Sequence, residues 1–197
     1  MNNKKNLLLD LDNTLICAEL YDDLSEEEIN RCKKKFKYHN MDDYFLVCER
    51  PCVQEFLDFV FDNFNISIWT AASKDYAKFI INNVILIKPN RKLDYFFWDK
   101  HCKISKKFDT NFSKNLKILW TKYNRGQGLD NYNYNNTFIL DDYDEVWKNQ
   151  KCNSIPAKSF EILNKNSYND RFLKDLIPKL KALNYSQKKC LTRDFHK

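Results

Sequence analysis

Asp10 and Asp12 stand two residues apart in the run Asp10-Leu11-Asp12-Asn13-Thr14, directly after the apolar residues Leu7, Leu8 and Leu9. If that apolar run is a buried strand, both carboxylates leave its end together and can face one cavity. Two close negative charges repel, so the arrangement is costly unless a cation lies between them. A hard ion with oxygen ligands, Mg2+ above all, is the economical choice. Asp141 and Asp142 follow a second apolar run, Phe138-Ile139-Leu140, and offer at least one further carboxylate to the same ion. Thr70 ends a third run, over residues 66–69. A hydroxyl there, beside the free backbone N–H groups of Ala71 and its successors at the start of a helix, makes an anion site. Each element has an ordinary alternative: acidic surface turns for the aspartates, and a helix cap for Thr70 or Ser73. A bare DxD is a weak motif; three strands that all end in such residues carry more weight.

Strands and helices must alternate to bring these groups together. Residues 7–9 with Leu11 read as a buried strand. A polar stretch follows from 19 to 43, helical around 25–36, where Ser25 and Glu28 fit a capping box. Residues 44–48 read as a strand, and Pro51 opens a helix that carries Val53, Phe56, Leu57, Val60 and Phe61 at helical spacing. A strand at 66–69 and a helix over about 75–82 come next. Residues 88–109 mix aromatics and lysines without a clear period. A helix resuming near Ser113 carries Leu116, Ile118, Leu119 and Trp120, and residues 123–136 form a loop rich in Gly, Asn and Tyr. A strand at 137–140, a short strand around 160–162 and a helix over 170–183 complete the pattern. This alternation predicts an α/β fold with a Rossmann-like, largely parallel sheet and flanking helices. In such folds functional groups collect beyond the carboxyl ends of the strands, where all the residues named above fall.

The run DLDNTL after an N-terminal apolar strand resembles the first motif of the haloacid dehalogenase phosphatase superfamily. The resemblance implies that Asp10 attacks phosphorus and forms an aspartyl-phosphate, while Asp12 protonates the leaving oxygen and then activates water. Phosphoryl transfer depends mostly on positioning and charge neutralisation, so a weak carboxylate nucleophile is sufficient. Thr70 matches the second motif by position. The third needs a lysine that ties the phosphoryl group to the nucleophile; Lys114 is assigned to it, with Lys117 as the nearest competitor. Thr14, Thr70, Ala71 and Lys114 are then the expected phosphate-binding residues. Asp10, Asp12, Asp141 and Asp142 are the expected metal ligands, with Mg2+ as cofactor. Which of Asp141 and Asp142 binds the ion directly stays open, Asp141 working through water or Lys114 if Asp142 is the ligand.

A narrower resemblance follows. Residues 49–57 (ERPCVQEFL) and 66–77 (ISIWTAASKDYA) are similar to the RPGVxEFL…IxTAxxxxYA pattern of the phosphatases of the RNA polymerase II C-terminal domain, the NLI-interacting-factor-like family. Residues 153–160 (NSIPAKSF) and the helix at 170–183 resemble the family's later elements, so the match runs from about Leu7 to about Leu183. Cys52 stands where the family has glycine, and the 123–136 loop looks longer than in its small members. The family's aromatic insertion, which recognises proline beside phosphoserine, has no clear counterpart. The cluster Tyr95-Phe96-Phe97-Trp98 falls in that region but reads equally well as core. The resemblance implies a single haloacid dehalogenase-like phosphatase domain over residues 1–185, followed by a basic tail over 186–197. The cap is minimal, because the stretch 17–43 is too short for a large one. An open site admits a phosphorylated protein, so the expected activity is hydrolysis of phosphoserine or phosphothreonine in a protein. The rival expectations are a phosphatase for a nucleotide, a nucleic-acid end or a small molecule, and a non-catalytic binding relative.

Composition bounds these readings. A chain of 197 residues that is 43% hydrophobic and 15% aromatic suits one domain with a full core, not a disordered chain. Two glycines exclude both GxGxxG and GxxxxGK[ST] phosphate loops. The net charge of +6 favours an acidic partner such as a phosphopeptide, a nucleic acid or an anionic membrane. Much of the excess lies between Lys174 and Lys197, where a solvated helix face and tail account for it, so nucleic acid is not favoured. The seven cysteines form no CxxC pair and no Cys/His cluster, which predicts free thiols in a reducing compartment, cytoplasmic or nuclear. The polar start of the chain is not read as a signal peptide, no membrane span is expected, and the expected state is a monomer. His39, His101 and His196 show no partner in the sequence and receive no catalytic role.

Overall fold

Leu7, Leu8 and Leu9 form the central strand of a parallel sheet in the computed structural model, which describes residues 4–108, 112–121, 129, 131–185, 190, 192 and 195. In chain order the strands are β1 (Asn6–Leu9), β2 (Ile16–Leu20), β3 (Tyr38–Met41), β4 (Phe45–Glu49), β5 (Asn65–Trp69), β6 (Phe96–Phe97), β7 (Thr137–Asp141) and β8 (Ser154–Pro156). The α-helices are α1 (Glu26–Lys35), α2 (Val53–Asn63), α3 (Lys74–Ile80), α4 (Asp99–Phe108), α5 (Lys117–Trp120), α6 (Asp144–Asn149) and α7 (Phe172–Tyr185). Five strands pair in the order β6-β5-β1-β7-β8, all parallel, as the α/β reading predicts.

Alternation along β1 fixes which face each side chain takes. Leu7 and Leu9 pack with Phe56, Leu57 and Val60 of α2 and with Leu173, Leu176 and Leu180 of α7. Leu8 faces the other way, into a second cluster with Trp69, Leu116, Leu119 and Ile139. Asp10, next in the same alternation, inherits the Leu8 face, and Asp141 inherits the Ile139 face. The register Leu9↔Leu140 brings those two aspartates to the same level, with the Asp10 N–H donating to the Leu140 carbonyl at 3.0 Å. Two carboxylates are thereby delivered side by side to one face of the sheet.

Between β1 and α2 the chain builds a second, antiparallel sheet of order β2-β4-β3, with α1 beside it. Residues 44–48 are thus a strand, as expected, but of this small sheet. The capping box of α1 forms as its sequence predicts, with Ser25 accepting from the Glu28 N–H and the Glu28 carboxylate accepting from the Ser25 N–H. Cys52 takes a left-handed φ of 64° at the N-cap of α2, the conformation for which glycine has no steric penalty. A small module of this size is consistent with a minimal cap.

Several expectations are corrected. The stretch 88–109, read as irregular, holds β6 and the ten-residue α4. The helix expected from Ser113 begins only at Lys117; Ser113 and Lys114 lie in the turn before it. Residues 160–162 form no strand: Phe160 and Ile162 are buried against Cys17, Cys32 and Cys48, and the sheet edge is β8. Apolar spacing there reports burial, not pairing. Cys152 and Cys190 form a disulfide, against the expectation that every thiol is free. Much of the 123–136 loop and most of the 186–197 tail lie outside the described residues.

Arg50, from the Arg-Pro pair, clamps the two halves of the domain. Its buried guanidinium donates to both Asp170 oxygens, at 2.9 and 3.0 Å, and to the Thr14 carbonyl at 3.0 Å. It also lies 4.6 Å over the Phe172 ring. The loop after β1 is thereby tied to the start of α7. Arg50→Ala would leave the carboxylate and the carbonyl without their donor. The expected loss is about 3–5 kcal/mol of stability, read as a lower urea midpoint at unchanged slope.

Candidate active site

One side chain joins the carboxylates delivered by β1 and β7. Lys114 Nζ donates to Asp10 Oδ1 at 2.6 Å and to Asp141 Oδ2 at 2.7 Å, and all three residues are buried. Lys114 reaches them because it sits in the turn ahead of α5. Ser105 and Asn115 fix that turn: the Asn115 N–H donates to Ser105 Oγ at 2.8 Å. Lys117 is not on the wall of this cleft.

The remaining residues close around this centre. The fully buried Thr14 hydroxyl lies 3.2 Å from Asp10 Oδ2 and 3.4 Å from Asp142 Oδ1, and it accepts from the Asp142 N–H at 3.2 Å. Its expected phosphate contact is therefore corrected: Thr14 holds the two carboxylates from beneath and does not line the cleft. Thr70 Oγ1 accepts from the Ala72 N–H at 3.0 Å and stands 3.5 Å from Asp12 Oδ2. Thr70 and Ala71 both line the cleft, in keeping with an anion site at the end of β5. The Tyr143 N–H donates to Asp141 Oδ1 at 2.9 Å.

Asp10, Asp141 and Asp142 each bring a carboxylate oxygen within 4.8 Å of the others. Asp12 does not join this group as an acidic ligand. Its Oδ1 accepts instead from the Tyr76 hydroxyl at 2.5 Å. Tyr76 was legible in the sequence only as part of the Tyr-Ala pair of the family pattern, with nothing to mark its hydroxyl as a partner of Asp12.

Electrostatics makes the case for a cation. Six carboxylates line this cleft, those of Asp10, Asp12, Asp99, Asp141, Asp142 and Glu145, against three ammonium groups, those of Lys103, Lys106 and Lys114. Burial pulls the Lys114 ammonium down, but Asp10 and Asp141 more than reverse this and hold it above the ordinary lysine value. Burial and the Asp10 charge push Asp141 up, against the pull of Lys114. Burial and then Asp10 likewise push Asp12 up to about 6. Burial and the Asp12 charge raise the Tyr76 phenol, so it remains a donor. Lys114 occupies one oxygen each of Asp10 and Asp141, leaving an all-oxygen donor set that suits a hard divalent ion. The cleft measures about 470 Å³ and is walled on one side by α4, through Asp99, Cys102, Lys103 and Lys106, and on the other by Tyr143 and Glu145. Among the described residues, no histidine lines it. His39 instead bonds Glu49 at 2.9 Å, His101 Nδ1 accepts from the Trp98 N–H, and His196 lies outside the described residues.

The profile of the NLI interacting factor-like phosphatases matches residues 5–191. The CTD phosphatase-like protein 355R of Invertebrate iridescent virus 6 is 45% identical over 175 residues, covering 86% of this chain and 93% of the viral protein. Its counterpart in Invertebrate iridescent virus 3 is 40% identical over 175 residues, covering 86% and 91%. The CTD small phosphatase-like protein 2 of Dictyostelium discoideum is 30% identical over 183 residues, which are 91% of this chain but 27% of that protein. Among solved structures, Fcp1, an essential RNA polymerase II CTD phosphatase, has a TM-score of 0.57 at 16% identity. That match covers 97% of this chain and 52% of the Fcp1 chain, so this chain spans about half the length of that structure, and the likeness concerns the fold. No helix among the described residues is long and apolar enough to cross a membrane.

Proposed function

The chain belongs to the NLI interacting factor-like phosphatase family, and from that premise we propose that it removes the phosphoryl group from phosphoserine or phosphothreonine in a protein, with Asp10 as nucleophile and Mg2+ as cofactor. The observation that carries the reading is the Lys114 bridge between Asp10 and Asp141 inside one open cleft. A lysine so placed holds the nucleophile in position and neutralises charge as a phosphoryl dianion approaches.

The Asp10 carboxylate attacks phosphorus, and the bond from phosphorus to the ester oxygen breaks. Asp12 gives its proton to the departing serine or threonine oxygen. Asp12, now a carboxylate, takes a proton from water, whose oxygen attacks phosphorus; the bond from phosphorus to the Asp10 oxygen breaks, the Asp10 carboxylate is restored and inorganic phosphate leaves. Thr70 and the Ala71 backbone orient the phosphoryl oxygens. Asp10, Asp141 and Asp142 would hold the ion, which when bound neutralises charge on the phosphoryl group. The names of the viral and Dictyostelium relatives support a CTD-like protein substrate, and a cleft with only a small three-stranded module beside it suits an extended segment of chain.

A phosphoserine peptide assayed beside a nucleotide and a 3′-phosphorylated DNA tests the reading. Mg2+-dependent release of phosphate should be fastest from the peptide; faster release from either competitor would reassign the substrate. EDTA is expected to silence the activity and excess Mg2+ to restore it, and turnover that survives chelation counts against the metal. Asp12→Asn should slow the peptide reaction by about 10²–10⁴-fold, the usual contribution of a general acid or base, measured as kcat.

A further inference from the structure

Asp12 lines the cleft, whereas Tyr76, whose hydroxyl donates to its Oδ1 at 2.5 Å, does not. Tyr76 stands in the first turn of α3, which Ser73 caps. Its ring packs edge-on against Phe45 of β4, with centroids 5.3 Å apart. The hydroxyl therefore reaches Asp12 from behind the reacting groups, on a ring that the small antiparallel sheet holds in place. The other Asp12 oxygen is held only weakly, since the Thr70 hydroxyl, its donor, is 3.5 Å from Oδ2. The two oxygens of one carboxyl group are thus made unequal.

We propose that Tyr76 is a positioning residue for departure of the alcohol: by donating to Asp12 Oδ1 it makes Oδ2 the oxygen that carries the proton to the substrate. The inference rests on the phosphatase reading above. A neutral carboxyl group has one proton, and the oxygen that accepts a phenol hydrogen bond is the carbonyl-like one. The proton is therefore assigned to Oδ2. When the P–O ester bond breaks, its electron pair stays on the alcohol oxygen, the Oδ2 proton moves to that oxygen, and Asp12 is left as a carboxylate. The Tyr76 hydroxyl keeps its bond to that carboxylate, now charge-assisted and stronger. Water then returns a proton to Oδ2 as its oxygen attacks phosphorus. Without the hydroxyl, the carboxyl group can place either oxygen toward the substrate, and the productive orientation becomes one of several.

Tyr76→Phe deletes one oxygen and keeps the ring against Phe45. Two substrates separate positioning from packing. A serine alkoxide leaves badly without a proton, whereas p-nitrophenolate is stable as an anion and needs none. In single-turnover measurements of the first step, Tyr76→Phe should slow the phosphoserine peptide about 10- to 100-fold, the range for a hydrogen bond to a charged group. With p-nitrophenyl phosphate it should slow the step by less than about threefold. In an Asp12→Asn background, Tyr76→Phe should add no further loss on the peptide, because residues that act through one another are not additive. Equal losses on both substrates, no loss on either, or a full further loss beside Asp12→Asn would each overturn the positioning role while leaving the phosphatase reading intact. A wild-type protein that cleaves neither substrate would remove that reading, and the role of Tyr76 with it.

Discussion

Asp10→Asn is expected to lower turnover of a phosphoserine peptide by at least about 10⁴-fold, the scale on which removing a covalent nucleophile acts. An amide nitrogen or carbonyl has no free anion with which to attack phosphorus, so the aspartyl-phosphate cannot form. The substitution keeps the size of the side chain; its one oxygen can keep the Lys114 contact while its NH2 group donates to the Thr14 hydroxyl, so the fold should survive. Labelled substrate should leave a hydroxylamine-sensitive phosphoryl group on the wild-type protein and none on the variant. The contrast with Asp12→Asn sharpens the test. Loss of the acid slows a step that still proceeds, so its phosphoenzyme forms slowly, whereas loss of the nucleophile leaves nothing to label. Normal turnover by Asp10→Asn would exclude this mechanism and send the search for a nucleophile elsewhere.

Such a prediction is available from sequence because the central strand is legible there. Leu7, Leu8 and Leu9 are apolar on both faces, which marks a strand buried from both sides, and the polar residue that ends such a strand lies at the rim where chemistry occurs. The same reasoning found Thr70 and the Asp141-Asp142 pair. It failed where local signal is weak. β6 is two residues long, and the cleft-facing residues of α4, at positions 99, 102, 103 and 106, include two lysines, so their helical spacing carries no apolar stripe to read. The turn at Ser113 and Lys114 looked helical because Leu116, Ile118, Leu119 and Trp120 continue the pattern beyond it.

Within the site, residue type proved more legible than orientation. Thr14 and Asp12 both stand out in the DLDNTL run, yet the hydrogen-bond partners of neither can be read from its type. Thr14 is turned down onto Asp10 and Asp142 and is shut off from solvent. Asp12 accepts a hydrogen bond from a tyrosine more than sixty residues along the chain. Pairings of that kind depend on how α3 packs over the small sheet, and no local periodicity encodes them. The disulfide between Cys152 and Cys190 belongs to the same class: two cysteines separated by 38 residues carry no spacing motif.

Lys114→Met tests the electrostatic centre itself. In the wild type one ammonium satisfies two buried carboxylates, and charge neutralisation of this kind is worth about 10³–10⁵ in phosphoryl-transfer rate. A loss of that size is expected on a phosphoserine peptide. Lys117→Met, outside the cleft, should change turnover by no more than about twofold, as surface substitutions do. Stability should respond as well. Removing the partner of a buried ion pair typically costs about 3–5 kcal/mol, because Asp10 and Asp141 then face each other without a counter-charge. A divalent cation can take over that role, and Lys114 no longer competes with it for the two oxygens. Binding to the folded state alone raises stability by RT ln(1 + [L]/Kd), with [L] the free ion concentration. Added Mg2+ should therefore raise the thermal midpoint of Lys114→Met by more than it raises that of the wild type. An equal Mg2+ shift in both proteins would mean that the lysine and the ion do not share these carboxylates, and the Lys114 bridge would then be a structural ion pair beside the site instead of its centre.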